Sequence, residues 1–179
     1  MIEIIDNFLD SEDYLKIDKI LNSSEFPWYF QPTITNDFEE KTTGQFTHIL
    51  YQENVGAISE WYNTFLSPIA NKLFGSMKAR SVVLLNAKMN LNPMRETNSL
   101  IGSHHTDWKI PGNNFRTAIY YCNTNNGYTE ITNKKIDSIS NRLVNFDGNS
   151  KHVGYSCTDQ QTRVIININY ILLETETYD

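Results

Sequence analysis

The hydrophobic pattern changes period once along the chain. Asp10-Ser11 forms a helix N-cap before Glu12 and Asp13, and Leu15, Ile17, Ile20 and Leu21 follow at three-to-four spacing. That spacing predicts an amphipathic helix to about residue 22, with acidic side chains against the positive end of its dipole. Ile58, Trp61, Phe65, Ile69 and Leu73 repeat the spacing and predict a second helix over 57–74, stopped by Gly75. Residues 2–5, Trp28-Tyr-Phe30 and Phe46–Tyr51 read as short strands. Beyond Gly75 the runs are β-branched and aromatic: Ser81–Leu85, Phe115–Cys122, Arg142–Phe146 and Thr162–Leu173. Turn-forming Pro111-Gly-Asn-Asn114, Asn123–Gly127 and Asp147-Gly-Asn-Ser150 separate them. In the last run Val164, Ile166, Ile168 and Tyr170 alternate with Ile165, Asn167 and Asn169, so one face is apolar and the other mixed. Two helices followed by many short strands predict a mainly β (α+β) jelly roll with both helices packed on one sheet. The space between its sheets is where a site would be built.

No repeat or linker divides the 179 residues, so a single domain is expected, with 1–77 as helical support and outer strands and 78–173 as the β core. An apolar content of 40% and an aromatic content of 12% exclude a disordered chain. No run approaches the ~20 apolar residues of a membrane span. Met1–Asp6 lacks a basic stretch followed by an apolar core, so an intracellular, cytoplasmic protein is expected. Cys122 and Cys157, with no CxxC, read as buried fillers rather than as a disulfide or zinc ligands. A net charge of −6 argues against a surface that binds nucleic acid as a whole. Within 78–116 the balance reverses: Lys78, Arg80, Lys88, Arg95, Lys109 and Arg116 stand against Glu96 and Asp107 only. This segment would attract an anionic ligand, and Pro93–Asn98 inside it reads as a lid.

Histidine is scarce, with four in the chain: His48, His104, His105 and His152. In Gly102-Ser-His-His-Thr-Asp-Trp108, an extended backbone puts His105 and Asp107 on one face and His104 on the other. His48 reads as structural. An imidazole and a carboxylate two residues apart can hold one metal ion, and His152, at the start of another strand, supplies a third ligand. Two histidines and one carboxylate on one face of a metal form the facial triad of non-haem Fe(II) oxygenases. Arg163 lies eleven residues beyond His152, where its chain can return to the same cavity. Its guanidinium fork matches a carboxylate bidentately.

His105-x-Asp107…His152…Arg163 resembles the HxD…H…R/K signature of the 2-oxoglutarate- and Fe(II)-dependent oxygenases. The likeness is greatest to small prolyl-4-hydroxylase-like members common in phage and marine microbial genomes, and a phage-encoded origin would fit. Arg116–Asn123 with Asn126-Gly-Tyr-Thr-Glu-Ile131 is similar to the family's GGxTxF hairpin, with Tyr128 and Ile131 as departures. The resemblance covers residues 80–173 and implies a double-stranded β-helix, a cupin-like jelly roll. It implies Fe(II) on His105, Asp107 and His152, 2-oxoglutarate chelating the iron with its distal carboxylate on Arg163, and O2 as co-reactant. Ala87–Pro93 resembles a cosubstrate-contacting strand in which Asn90 fits, whereas Asn92 stands where Tyr is usual. Tyr120 or Tyr121 would then donate the phenol, and strand alternation lets only one face inward. The implied reaction hydroxylates a small molecule or peptide, such as a peptidyl or free prolyl side chain, with release of succinate and CO2. Retention of Asp107 disfavours halogenation. The alternatives are a non-catalytic cupin-like metal- or ligand-binding module and a nucleic-acid demethylase. Nothing in the pattern sets an oligomeric state.

Overall fold

The computed structural model describes residues 1–34, 44–77, 81–112 and 114–173. Lys78 and Arg80 of the basic segment lie outside them. In chain order the elements are β1 (Glu3–Ile5), α1 (Ser11–Leu21), β2 (Tyr29–Gln31), β3 (Gln45–Gln52), β4 (Gly56–Ala57) and α2 (Tyr62–Gly75). Then come β5 (Ser81–Pro93), β6 (Leu100–His105), β7 (Phe115–Tyr121), β8 (Tyr128–Ile131), β9 (Lys134–Asp137), β10 (Arg142–Asp147), β11 (His152–Tyr155) and β12 (Thr162–Leu173).

Two antiparallel sheets face each other. The major sheet runs β1-β10-β7-β12-β5-β3-β2 with β4 on β3, and the minor sheet runs β6-β11-β8-β9. Alternation decides what each face of the major sheet meets. Val164, Ile166, Ile168 and Tyr170 of β12, with Ala87 and Met89 of β5, pack against Ile17 of α1 and Phe65, Ile69 and Leu73 of α2. Ile119, Tyr121, Val144, Phe146 and Ile165 point the other way and meet Ile131 and Ile136 of the minor sheet. Both helices therefore cover one outer face, as the pattern predicts, and the double-stranded β-helix encloses its site between the sheets.

The local signals hold where backbone chemistry sets them. Asp10 caps α1 by accepting from the backbone N–H of Asp13 at 3.0 Å. Leu15, however, is 59% exposed, because the buried stripe of α1 runs through Tyr14, Ile17 and Leu21 instead. The second helix starts at Tyr62 rather than 57, since Gly56–Ala57 pairs back onto β3 and Ile58 donates its N–H to Leu50 O. Gly75 falls within its last turn, and Ser76 Oγ then donates to Leu73 O. The segment after Pro93 is pinned rather than lid-like: Met94 N–H donates to Gln161 O, Arg95 N–H to Cys157 O and Asn98 Nδ2 to Ser156 O.

The expected hairpin from β7 to β8 does not form. Both edges of β7 are taken by β10 and β12, so the chain crosses to the minor sheet before β8 begins. Asn123 makes the crossing possible: its Nδ2 donates to Thr162 O at 2.7 Å and its Oδ1 accepts from Val164 N–H at 2.9 Å. The true hairpin is β8–β9, whose two loop residues Thr132 and Asn133 both have positive φ (45° and 66°), as a tight primed turn requires.

Candidate active site

β6 ends at His105 and β11 begins at His152, and the two residues are direct partners in the minor sheet. Asp107 follows two residues after the end of β6. His105 Nε2 lies 3.6 Å from Asp107 Oδ1, and His152 Nε2 lies 3.7 Å from Asp107 Oδ2. The two imidazole centroids are 4.7 Å apart. Nδ1 of His105 donates to Ser103 O at 2.8 Å, and Nδ1 of His152 donates to Ser150 O at 3.2 Å. A carbonyl only accepts, so each Nδ1 carries the proton and each Nε2 keeps its lone pair for the carboxylate side. Asp107 Oδ2 in turn accepts from Asn167 Nδ2 at 3.1 Å.

This arrangement fits a divalent cation. The Nε2–carboxylate separations are too long for hydrogen bonds, and the three ligand atoms lie within 4.8 Å of one another. Burial opposes ionisation of Asp107, but the neighbouring His105 and His152 and the Asn167 amide outweigh it and hold the carboxyl at about 2. Burial lowers His152. At His105 burial pulls the same way but is outweighed by Asp107, and the group is raised. Two neutral imidazole nitrogens and one carboxylate form the donor set that suits Fe(II) with open positions. Asn167 orients the carboxylate from behind. Asn167→Ala is therefore expected to weaken metal binding about 10- to 100-fold without loss of fold, as calorimetric titration with Mn(II) would show.

The triad borders a cavity of about 600 Å³ between the sheets. Arg163, 1% exposed, lines the same cavity from β12. Its Nε donates to Ser138 Oγ at 3.0 Å and its Nη2 to Thr129 Oγ1 at 2.8 Å. Its Cζ stands 5.7 Å over the ring of Tyr121. Among the described residues no carboxylate pairs with it, and burial pushes its pKa down. A desolvated guanidinium that faces a cavity and pairs with no carboxylate among the described residues calls for an anionic ligand. Gly127 makes room for it, since a Cβ there would fall 2.9 Å from Arg163 Cδ.

Asn90 also lines the cavity, directly opposite Ile165 of β12. Asn92 does the same opposite Arg163. The side-chain oxygens of Asn90, Asn92 and Asn167 are buried without a hydrogen-bond partner among the described residues. Three orphaned acceptors on one floor show a surface shaped for a polar ligand or ordered water. The tyrosine expectation needs correction. Tyr120 points to the helix side, packs edge-on against Phe8 and donates to Asn141 Oδ1 at 3.1 Å, so it does not reach the cavity. Tyr121 faces inward but lies behind Arg163, and its hydroxyl donates to Thr129 Oγ1 at 2.9 Å. Neither phenol lines the cavity. Asn167, Thr129 and Ser138 were not singled out by sequence reasoning, and Lys88 entered it only as one cation of the basic segment 78–116. The available signal was the polar alternation Lys88-Asn90-Asn92 in an otherwise apolar strand. His104 Nε2 lies 3.1 Å from Glu130 Oε1, outside the triad. His48 is held between Pro27 O and Ser59 Oγ, a structural role.

No family model and no curated protein matches the chain. Solved structures do. A 2OG-Fe(II) oxygenase family oxidoreductase from Burkholderia pseudomallei matches 95% of this chain and 84% of its own, with TM-score 0.68 and 9% identity. A Trichoplax adhaerens prolyl hydroxylase, solved with a hypoxia-inducible-factor oxygen degradation domain peptide, matches 95% of this chain and 83% of its own (TM-score 0.62, 18% identity). The viral collagen prolyl hydroxylase of Paramecium Bursaria Chlorella virus-1, in its 2-oxoglutarate complex, covers 96% of both chains (TM-score 0.61, 13% identity). At these identities the likeness establishes the fold: this chain has the double-stranded β-helix of the 2-oxoglutarate- and Fe(II)-dependent oxygenases. No helix among the described residues is long and apolar enough to cross a membrane.

Proposed function

We propose that the protein is an Fe(II)- and 2-oxoglutarate-dependent dioxygenase that hydroxylates a small-molecule or peptide substrate. One observation carries this reading: His105, Asp107 and His152 aim their free donor atoms at a common point on a cavity that also holds an acid-free, buried Arg163. The balanced reaction takes substrate C–H, O2 and 2-oxoglutarate to substrate C–OH, succinate and CO2. When bound, the iron would supply O2 activation and the 2-oxo acid the two further electrons that the reaction needs.

The chain's own residues do the remaining work. His105, Asp107 and His152 would hold the metal, their orientation fixed by Ser103 O, the Asn167 amide and Ser150 O. Arg163 would bind the distal carboxylate of 2-oxoglutarate, with Thr129 and Ser138 fixing the plane of the guanidinium beforehand. Preorganised donors lose little on binding, which favours affinity. Ile119 and Ile165 supply apolar wall to exclude water. The likeness to prolyl hydroxylases favours a peptidyl or free amino-acid side chain, proline among them, as the group hydroxylated.

Anaerobic titration of the metal-free protein with Fe(II) and 2-oxoglutarate tests the reading. A weak visible charge-transfer band is expected, followed on admission of O2 by succinate release. A protein that gave no band without oxygen would not be this oxygenase.

A further inference from the structure

Lys88 is a cation on the inner face of β5 with no role in that chemistry. It lines the cavity, opposite Asn167 of β12 and Ile49 of β3. No carboxylate lies within ion-pair distance of it among the described residues. Arg163 stands four residues away along the paired strand, about 13 Å at strand rise, so a carboxylate held by Arg163 does not also reach Lys88. Asp107, near enough to favour the ammonium electrostatically, is committed to the histidines and Asn167.

The charges of a loaded cavity follow. The doubly positive iron offsets the doubly negative cosubstrate, and Asp107 offsets Arg163. Lys88 is left over, with exposed Lys109 and Lys151 adding to the same sign at the rim. A largely desolvated ammonium is unfavourable unless an anion meets it. No acidic residue other than Asp107 lines the cavity among the described residues. Among the described residues nothing supplies that anion, which points to the ligand as its source. The cavity's roughly 600 Å³ leaves room beside a five-carbon cosubstrate for a second molecule of small-metabolite size.

We propose that Lys88 is the substrate-binding cation of this site and that the substrate is a small carboxylic acid whose carboxylate lies against it. This rests on the oxygenase reading and narrows it from peptidyl or free amino-acid side chains to molecules with a free acid group. A neutral stretch of peptide backbone brings no such charge.

The test uses full-length wild type and Lys88→Met, both loaded with Fe(II) and 2-oxoglutarate without oxygen. The probes are the free L-amino acids and their carboxamides, read by perturbation of the visible band and by Tm. At least one acid is expected to perturb the band and raise Tm in wild type, with its amide at least about tenfold weaker. Lys88→Met is expected to form the same band at the same 2-oxoglutarate concentration, to lose the preference for acid over amide, and to have an unloaded Tm no lower than wild type. Amides that bind as well as acids, or no acid that binds, would overturn the proposal. So would a Lys88→Met protein with weakened 2-oxoglutarate binding, which would assign Lys88 to the cosubstrate, or with a clearly lower unloaded Tm, which would make it structural. Absence of the band in wild type would instead bring down the oxygenase reading on which the proposal stands.

Discussion

Asp107→Ala is expected to lose iron affinity by at least about a hundredfold while the protein stays folded. The carboxylate is the element that joins the two imidazoles, one facing each of its oxygens at 3.6 and 3.7 Å. Without it, two neutral nitrogens remain, and no other acid stands with them in a ligating group among the described residues. Changing residues that merely orient metal ligands costs 10- to 100-fold, so loss of a ligand, with its charge, should cost more. The effect on the fold is bounded by the same electrostatics. A carboxyl lowered from 3.8 to about 2 contributes about 2 kcal/mol, present above pH ~4 and lost as pH falls through about 2. Removing that much leaves most of a domain's stability in place. Calorimetric titration with Mn(II), beside a thermal melt, separates the two outcomes. In wild type the same titration should weaken as pH falls, because His105, held above its usual value by Asp107, takes up a proton at the nitrogen the metal needs. Affinity that persisted in Asp107→Ala would place the metal elsewhere.

Arg163→Met is expected to reduce 2-oxoglutarate affinity about a hundredfold with Mn(II) affinity unchanged. A bidentate guanidinium–carboxylate pair out of water is among the stronger polar contacts, and no second cation stands beside it on the cavity floor. The stability change should be small. Methionine fills the shaft's volume against Gly127 and removes a buried, acid-free charge, which often offsets the lost hydrogen bonds. Thr129 keeps its bond from the Tyr121 hydroxyl, and Ser138 alone is stranded. Isothermal titration with 2-oxoglutarate on the Mn(II)-loaded variant measures the effect. Affinity within threefold of wild type would remove Arg163 from the cosubstrate site.

What the sequence disclosed and what it hid follow from how far each signal reaches. A period of two put His105 and Asp107 on one side; in the fold the paired strands β6 and β11 bring His105 beside His152, and Arg163 lines the same cavity from β12 of the opposite sheet. The alternation in Thr162–Leu173 was legible as one apolar and one mixed face, and the mixed face became the cavity floor. Choosing between Tyr120 and Tyr121 needed the identity of the layer on each side of β7, which is a long-range fact. The misplaced hairpin has the same origin: a strand and a short loop look alike whether the next strand pairs alongside or crosses to the other sheet. Leu15 misled because a helix stripe can rotate by one position when Tyr14 offers a larger apolar body. Asn167 was hidden by ordinary polar identity and Lys88 was visible only as one of six cations in a basic segment; the strand register opposite one another gives both a place.

The pairing of β1 with β10 has a consequence for the order of assembly. Glu3 aligns with Asn145, Asp6 meets Arg142, and the Asn141 amide both accepts from and donates to the backbone of Leu9. During synthesis Leu9 therefore waits for a partner more than 130 positions behind it. Loop closure of that span makes docking a late and slow event. Until it occurs, the outer edge of β10 offers unpaired backbone to any other strand. A chain in which β1 has not yet docked is thus open to self-association at that edge, and β1 serves the finished molecule as its chaperone as much as its cornerstone.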